Sequence, residues 1–173
     1  GATNGQRFEI GRFVTPTTTP GTGWLLTNWL VQVNGNTTLS TNKAVPLLMA
    51  SNTVVTATFV DAAKPTLTIT APTLNQRWSN EVFTVAGKVT DNHTNGSVWY
   101  QLNGGAWTNA SGWTNWSAVV NLTPGTNNVK AYAMDVAGNR STTNSVNFVR
   151  VLTAPLGLNI VGNGKVTGGT NGQ

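Results

Sequence analysis

Apolar and polar residues alternate along most of this chain with a period of two, the signature of strands with one buried face. Leu67 and Ile69 are separated by threonine, and Phe83, Val85, Gly87 and Val89 share one face of a second run. Val98, Tyr100 and Leu102 share one face of a third. Trp116, Ala118, Val120 and Leu122 continue the series, followed by Val129, Ala131 and Ala133 and then Val146 and Phe148. Turn chemistry divides the runs at Asn75-Gln76, Asn95-Gly96, Asn103-Gly104-Gly105, Pro124-Gly125 and Gly138-Asn139. No stretch repeats its apolar residues at helical spacing. Six or seven short strands in about 85 residues predict an antiparallel sandwich. Its expected core is Val85, Val98, Tyr100, Trp116, Val129, Ala131 and Phe148.

The alternating block covers residues 64–151 and is entered at Lys64-Pro65, where proline suits a strand start. Residues 1–61 read differently. Trp24 to Val33, Val45 to Met49 and Thr53 to Val60 are strongly apolar. The tract Thr15 to Gly21 carries two prolines, so it is an edge or an extended linker rather than a central strand. A small β domain over 1–61, a sandwich over 64–151 and a tail over 152–173 follow. In the tail, Leu156 to Val161, then Gly162-Asn163-Gly164, then Lys165 to Thr167 predict a strand, a tight turn and a second strand. The chain ends Gly168-Gly169-Thr170-Asn171-Gly172-Gln173 and begins Gly1-Ala2-Thr3-Asn4-Gly5-Gln6. The shared Thr-Asn-Gly-Gln block, offset by about 167 residues, is what one period of a tandem array would show.

Composition narrows the chemistry. Charged residues make up 9% of the chain, and 29 threonines and 22 asparagines stand in their place. A hydrophobic content of 39% with seven tryptophans is too high for a disordered chain. No apolar run approaches the roughly 18 residues of a membrane span, so no membrane insertion is expected. Without cysteine there are neither disulfides nor thiolate metal sites. The acids are Glu9, Asp61, Glu81, Asp91 and Asp135, and the one histidine is His93. They are scattered singly, no motif joins them, and no pair is expected to converge on a cleft with His93. No catalytic residue, cofactor or metal site is predicted, and the chain reads as something other than an enzyme. The net charge of +5 comes from ten isolated cations rather than a cluster, so no nucleic-acid partner is expected.

Four stretches carry a resemblance. They are Leu67-Thr68-Ile69-Thr70-Ala71-Pro72, Val85 to Asp91, Leu122 to Val129, and Ala133-Met134-Asp135-Val136-Ala137-Gly138-Asn139. Through them residues 66–151 resemble bacterial immunoglobulin-like domains of secreted, multi-domain surface proteins. Residues 7–61 resemble a divergent internalin-type B repeat, through Ile10-Gly11, Pro20-Gly21-Thr22-Gly23-Trp24, Asn28-Trp29 and Val54 to Phe59. That repeat family opens with a strand–Gly-x-Gly–strand hairpin, which residues 1–61 lack and residues 156–167 look like. The resemblance therefore implies a displaced hairpin that completes the B-repeat-like domain of the next unit.

Seven tryptophans raise the question of glycan binding, since sugars stack on flat aromatic faces. Trp24, Trp29 and Trp116 read as core. Trp99 lies in an outward register, and Trp107 and Trp113 flank a polar loop. These three are the candidate glycan-contact aromatics, with burial under a neighbouring domain as the alternative. Asp91 and Asp135 each end a strand beside turn residues, where an aspartate bonds its own turn, and neither segment has the dense oxygen ligands of a calcium loop. His93 reads as a solvated loop residue. Glycosylation sequons stand at Asn36, Asn92, Asn95, Asn109, Asn115, Asn121 and Asn139.

The sequence reading is thus an all-β structural module of a secreted bacterial fibre, stalk or adhesin. It assembles head-to-tail with copies of itself or neighbouring repeats. The interface would be Leu156, Leu158, Ile160, Val161 and Val166. The alternative is a carbohydrate-binding or spacer module of a secreted glycan-degrading enzyme, with glycans as partners.

Overall fold

The computed structural model describes residues 5–157, 159 and 161–167. It is all-β, with thirteen strands and no helix among the described residues. The first unit holds β1 (Phe13–Val14), β2 (Trp24–Val33), β3 (Asn36–Ser40), β4 (Leu47–Leu48) and β5 (Val54–Asp61). Its main sheet runs β3-β2-β5, and the small β1-β4 ladder forms a second layer. β2 turns into β3 at Asn34-Gly35, both at positive φ (48° and 84°), the backbone of a two-residue hairpin. The proline tract lies extended along the edge, with the Thr18 N–H donating to the Lys43 carbonyl and the Val45 N–H to that of Pro16. Between the layers Trp29, Val31, Val45 and Leu47 are buried, and the Trp29 indole N–H donates to the Asn42 carbonyl.

The second unit contains β6 (Thr66–Ala71), β7 (Arg77–Trp78), β8 (Val82–Thr90), β9 (Gly96–Leu102), β10 (Thr108–Asn109), β11 (Asn115–Asn121), β12 (Gly125–Asp135) and β13 (Asn144–Arg150). A sheet β11-β8-β6 packs on a sheet β10-β9-β12-β13-β7. The ladders are antiparallel except β13–β7, which is parallel because the chain crosses from the first sheet to the second after β6. The inward faces meet as the alternation requires. Leu67, Phe83, Val85, Val89, Val98, Trp116, Val120, Leu122, Val129, Ala131, Ala133 and Phe148 form one buried cluster. Of the expected core only Tyr100 differs, packing on the cluster's margin while partly exposed. Asn127 is also fully buried, its carboxamide accepting from Thr123 N–H and Asn103 and donating to the carbonyls of Thr123 and Gly125. A buried amide satisfied on both ends fixes the β11–β12 turn.

Two expectations change. Trp24 does not join the first core. It stands 40% exposed at the first position of β2, beyond the end of the buried cluster, with its ring edge-on to His93 at 6.3 Å. The tail forms no strand among its described residues. Gly162 takes the expected turn conformation at φ 91°, but a two-stranded hairpin without a sheet to pack on is marginal in water. Leu156, Val161 and Val166 are exposed, and Leu158 and Ile160 lie outside the described residues, as do Thr3 and Asn4 of the first Thr-Asn-Gly-Gln block and all of the second.

Candidate functional site

Two groups of side chains stand out, one on a sheet face and one at the pole where the units meet. The sheet face is the outer surface of β9, β10 and β12. Alternation that sends Val98, Ala131 and Ala133 inward sends Trp99 and Tyr132 outward, and these two stand directly opposite in register. Trp107, in the β9–β10 loop, brings its ring to 4.8 Å from that of Tyr132 at an interplanar angle of 66°. The Arg140 guanidinium lies 3.6 Å from the Tyr132 ring centroid. The Trp99 indole N–H donates to Ser97 Oγ at 3.1 Å. Gln101 and Lys130 pair across the next rung, and Asn109 stands opposite Trp99 on the other side. The result is a half-buried aromatic group ringed by amides, a lysine and an arginine.

Two of the three candidate tryptophans are therefore brought together, around a tyrosine that sequence reasoning passed over. Its signal was the outward register of Lys130, Tyr132 and Met134 between inward alanines. Trp113 is elsewhere. It packs against the sandwich core, and its ring lies over Gly96, where an added Cβ would come within 2.6 Å of it. Gly96 is thus a site of close packing rather than a turn glycine.

The second group brings together three acids that the sequence scatters singly. Asp61 ends β5, Asp91 follows β8 and Asp135 ends β12, and each offers a carboxylate oxygen within 4.8 Å of the other two. Asp61 and Asp135 are each 5% exposed, and Asp91 is partly buried. His93 is not a free loop residue, because its Nε2 lies 3.5 Å from Asp61 Oδ2. Asp61 Oδ1 accepts from the Ala63 N–H and from the Asn92 amide. The Asn139 amide bridges Asp61 and Asp135, and its backbone N–H donates to Asp135 Oδ1. The His93 N–H donates to Asp91 Oδ2, so both aspartates do bond their own turns as expected. Burial raises the Asp61 carboxyl, but hydrogen bonds from Asn92 and Ala63 and the charge of His93 outweigh it and hold it below the usual carboxylate range. Carboxylates this enclosed do not face an open substrate cleft. Glu9 and Glu81 lie outside the group; Glu81 pairs with Arg150 at 3.6 Å. The sequons at Asn92 and Asn139 have their amides engaged in this cluster.

The sandwich, with its parallel β13–β7 edge and two facing sheets, is an immunoglobulin-like β domain. A family model described as glucodextranase, domain B, matches residues 65–150, just under half of the chain and all of this unit's strands. Among solved structures, a fibronectin(III)-like module of Clostridium thermocellum CbhA is similar at 17% identity and a TM-score of 0.42, covering 51% of this chain and 100% of that one. An engineered protein is similar at 22% identity and a TM-score of 0.41, covering 51% of this chain and 20% of that one. No curated protein matches the chain. No described helix is long and apolar enough to cross a membrane.

Proposed function

We propose that this chain is a non-catalytic β module of a secreted glycan-degrading protein, and that its Ig-like unit contacts polysaccharide through the outer face of β9, β10 and β12. The carrying observation is the grouping of Trp99, Trp107 and Tyr132 on one solvent-facing patch. Aromatic rings bind the apolar faces of sugar rings, and the flanking amides of Gln101 and Asn109 serve the hydroxyls. The match to glucodextranase domain B supports a glucan as the first ligand to try. The enclosed carboxylates support a binding or spacing role over hydrolysis.

Affinity electrophoresis through gels containing dextran or other soluble glucans tests this. The chain should be retarded by at least one polysaccharide, and Trp107→Ala should weaken that retardation about ten-fold, the effect of losing one stacking anchor of roughly 1.4 kcal/mol. Unretarded migration across the panel would count against glycan contact and leave the module a spacer.

A second reading, strand complementation into a fibre, is favoured by the exposed apolar residues of the tail together with those of the first sheet. Leu156 is 79% and Val161 91% exposed, while Leu25, Leu39, Val54 and Val60 are exposed on β2, β3 and β5. Free sheet edges and unpaired apolar segments favour strand addition between copies. On this reading the chain sediments as concentration-dependent oligomers and deletion of residues 156–173 returns it to monomer. A strictly monomeric full chain overturns it.

A further inference from the structure

The carboxylate cluster has a charge that the protein's own cations do not balance. Ionised Asp61, Asp91 and Asp135 carry three negative charges within one small volume. Among the described residues no lysine or arginine pairs with any of them, and His93 contributes at most one positive charge. Like charges at this separation repel by several kcal/mol even at an effective dielectric constant of about 20. Hydrogen bonds from Asn92, Asn139, Ala63 and His93 relieve part of that, but one atom is left out. Asp91 Oδ1 is sealed from solvent and has no hydrogen-bond partner. A buried carboxylate oxygen without a donor is costly unless a cation completes it.

We propose that Asp61, Asp91 and Asp135 form a calcium-binding site that clamps the first unit to the Ig-like unit. The deficit of two or three charges matches a divalent ion. The donors are hard oxygens from three carboxylates, with the Asn92 and Asn139 carboxamide oxygens within reach by rotation of their amides, and this set suits calcium. Zinc would want more nitrogen or sulfur than a single histidine provides. Magnesium would keep several of its waters, which an enclosed site resists. The ligands come from both units, since Asp61 belongs to β5 while Asp91 follows β8 and Asp135 ends β12. The ion therefore fixes the angle across the short Ala62 to Pro65 connection. This holds whether the chain is a glycan-contacting spacer or a fibre unit, because either benefits from a stiff joint.

The test uses the full chain, stripped with chelator, titrated with calcium chloride by calorimetry and melted with and without the ion. One calcium should bind per chain with a Kd of about 10⁻⁵–10⁻³ M, and the melting temperature should rise by several degrees at saturation. Magnesium at equal concentration should give a much smaller shift. Asp91→Asn, chosen because Asp91 is the least buried of the three, should weaken binding roughly ten-fold or more. Terbium in place of calcium provides an independent readout. Its emission should be sensitised through Trp24, which stands beside His93, and Trp24→Phe should reduce it. Absence of binding heat together with an unchanged melting temperature overturns the proposal and leaves a shared proton as what quiets the cluster. Calcium binding that survives Asp91→Asn unchanged also overturns it, by placing the ion elsewhere.

Discussion

Val85→Asp is expected to unfold the Ig-like unit at room temperature. Val85 sits at 0% exposure on β8, opposite Ala118 of β11 and inside the cluster that joins both sheets. The substitution removes a buried apolar side chain, worth about 1.5–3 kcal/mol. It also places a carboxylate where no cation or donor is available, at a cost of several kcal/mol more, or forces it to stay protonated. The sum rivals the 5–15 kcal/mol that holds a typical domain together. Near-ultraviolet circular dichroism reports the packing of Trp116 in the same cluster, so the variant should lose that signal at 25 °C. A melting curve within a few degrees of the native one would mean that β8 faces the other way.

Gly87→Ala should cost about 3 kcal/mol, at the upper end of what one extra carbon does in a packed core. An added Cβ would press on the Thr68 carbonyl oxygen of β6 and stand 2.6 Å from two ring carbons of Trp116. The carbonyl belongs to backbone and the indole is 1% exposed within the core, so neither moves without disturbing its neighbours. The control is Gly157→Ala. That glycine has ordinary φ and nothing within 4 Å of its would-be Cβ, so the change should stay within about 0.5 kcal/mol. Chemical denaturation of the two variants side by side separates close packing at Gly87 from a general intolerance of alanine. Equal midpoints would show that β6 and Trp116 have slack that the structure does not contain.

The sandwich was legible because its strands alternate cleanly and its sheets each have one wet face. Phe83, Val85, Gly87 and Val89 sit on one buried face of β8 as their spacing requires. The missed strands fail for stated reasons. β7 and β10 have two residues each, too few to carry a period. β3 reads Asn-Thr-Thr-Leu-Ser and shows little apolar alternation, although the preceding Asn34-Gly35 was a hairpin signal to be used. In β2 a register shift between Leu26 and Asn28 breaks the alternation, so Leu26 packs inward while Leu25 is 58% exposed. The aspartate cluster was hidden more deeply. Its members lie in three different strand ends, and only the topology, which sends β5, β8 and β12 to one pole, brings them together. Turn chemistry at Asp91 and Asp135 accounted for each locally and so concealed what they do jointly. The Trp99–Tyr132 pairing depends in the same way on the register of β9 against β12, which neither strand encodes alone.

The most direct test of the sheet-face reading is to watch the seven tryptophan indole N–H signals by heteronuclear NMR during titration with a soluble glucan that retards the chain. Binding on the outer face of β9, β10 and β12 predicts that the signals of Trp99 and Trp107 move and saturate together. Those of Trp29 and Trp116, enclosed in the two cores, should hold still. Saturable shifts at other tryptophans with Trp99 and Trp107 unmoved, or no shift at all, would contradict the account.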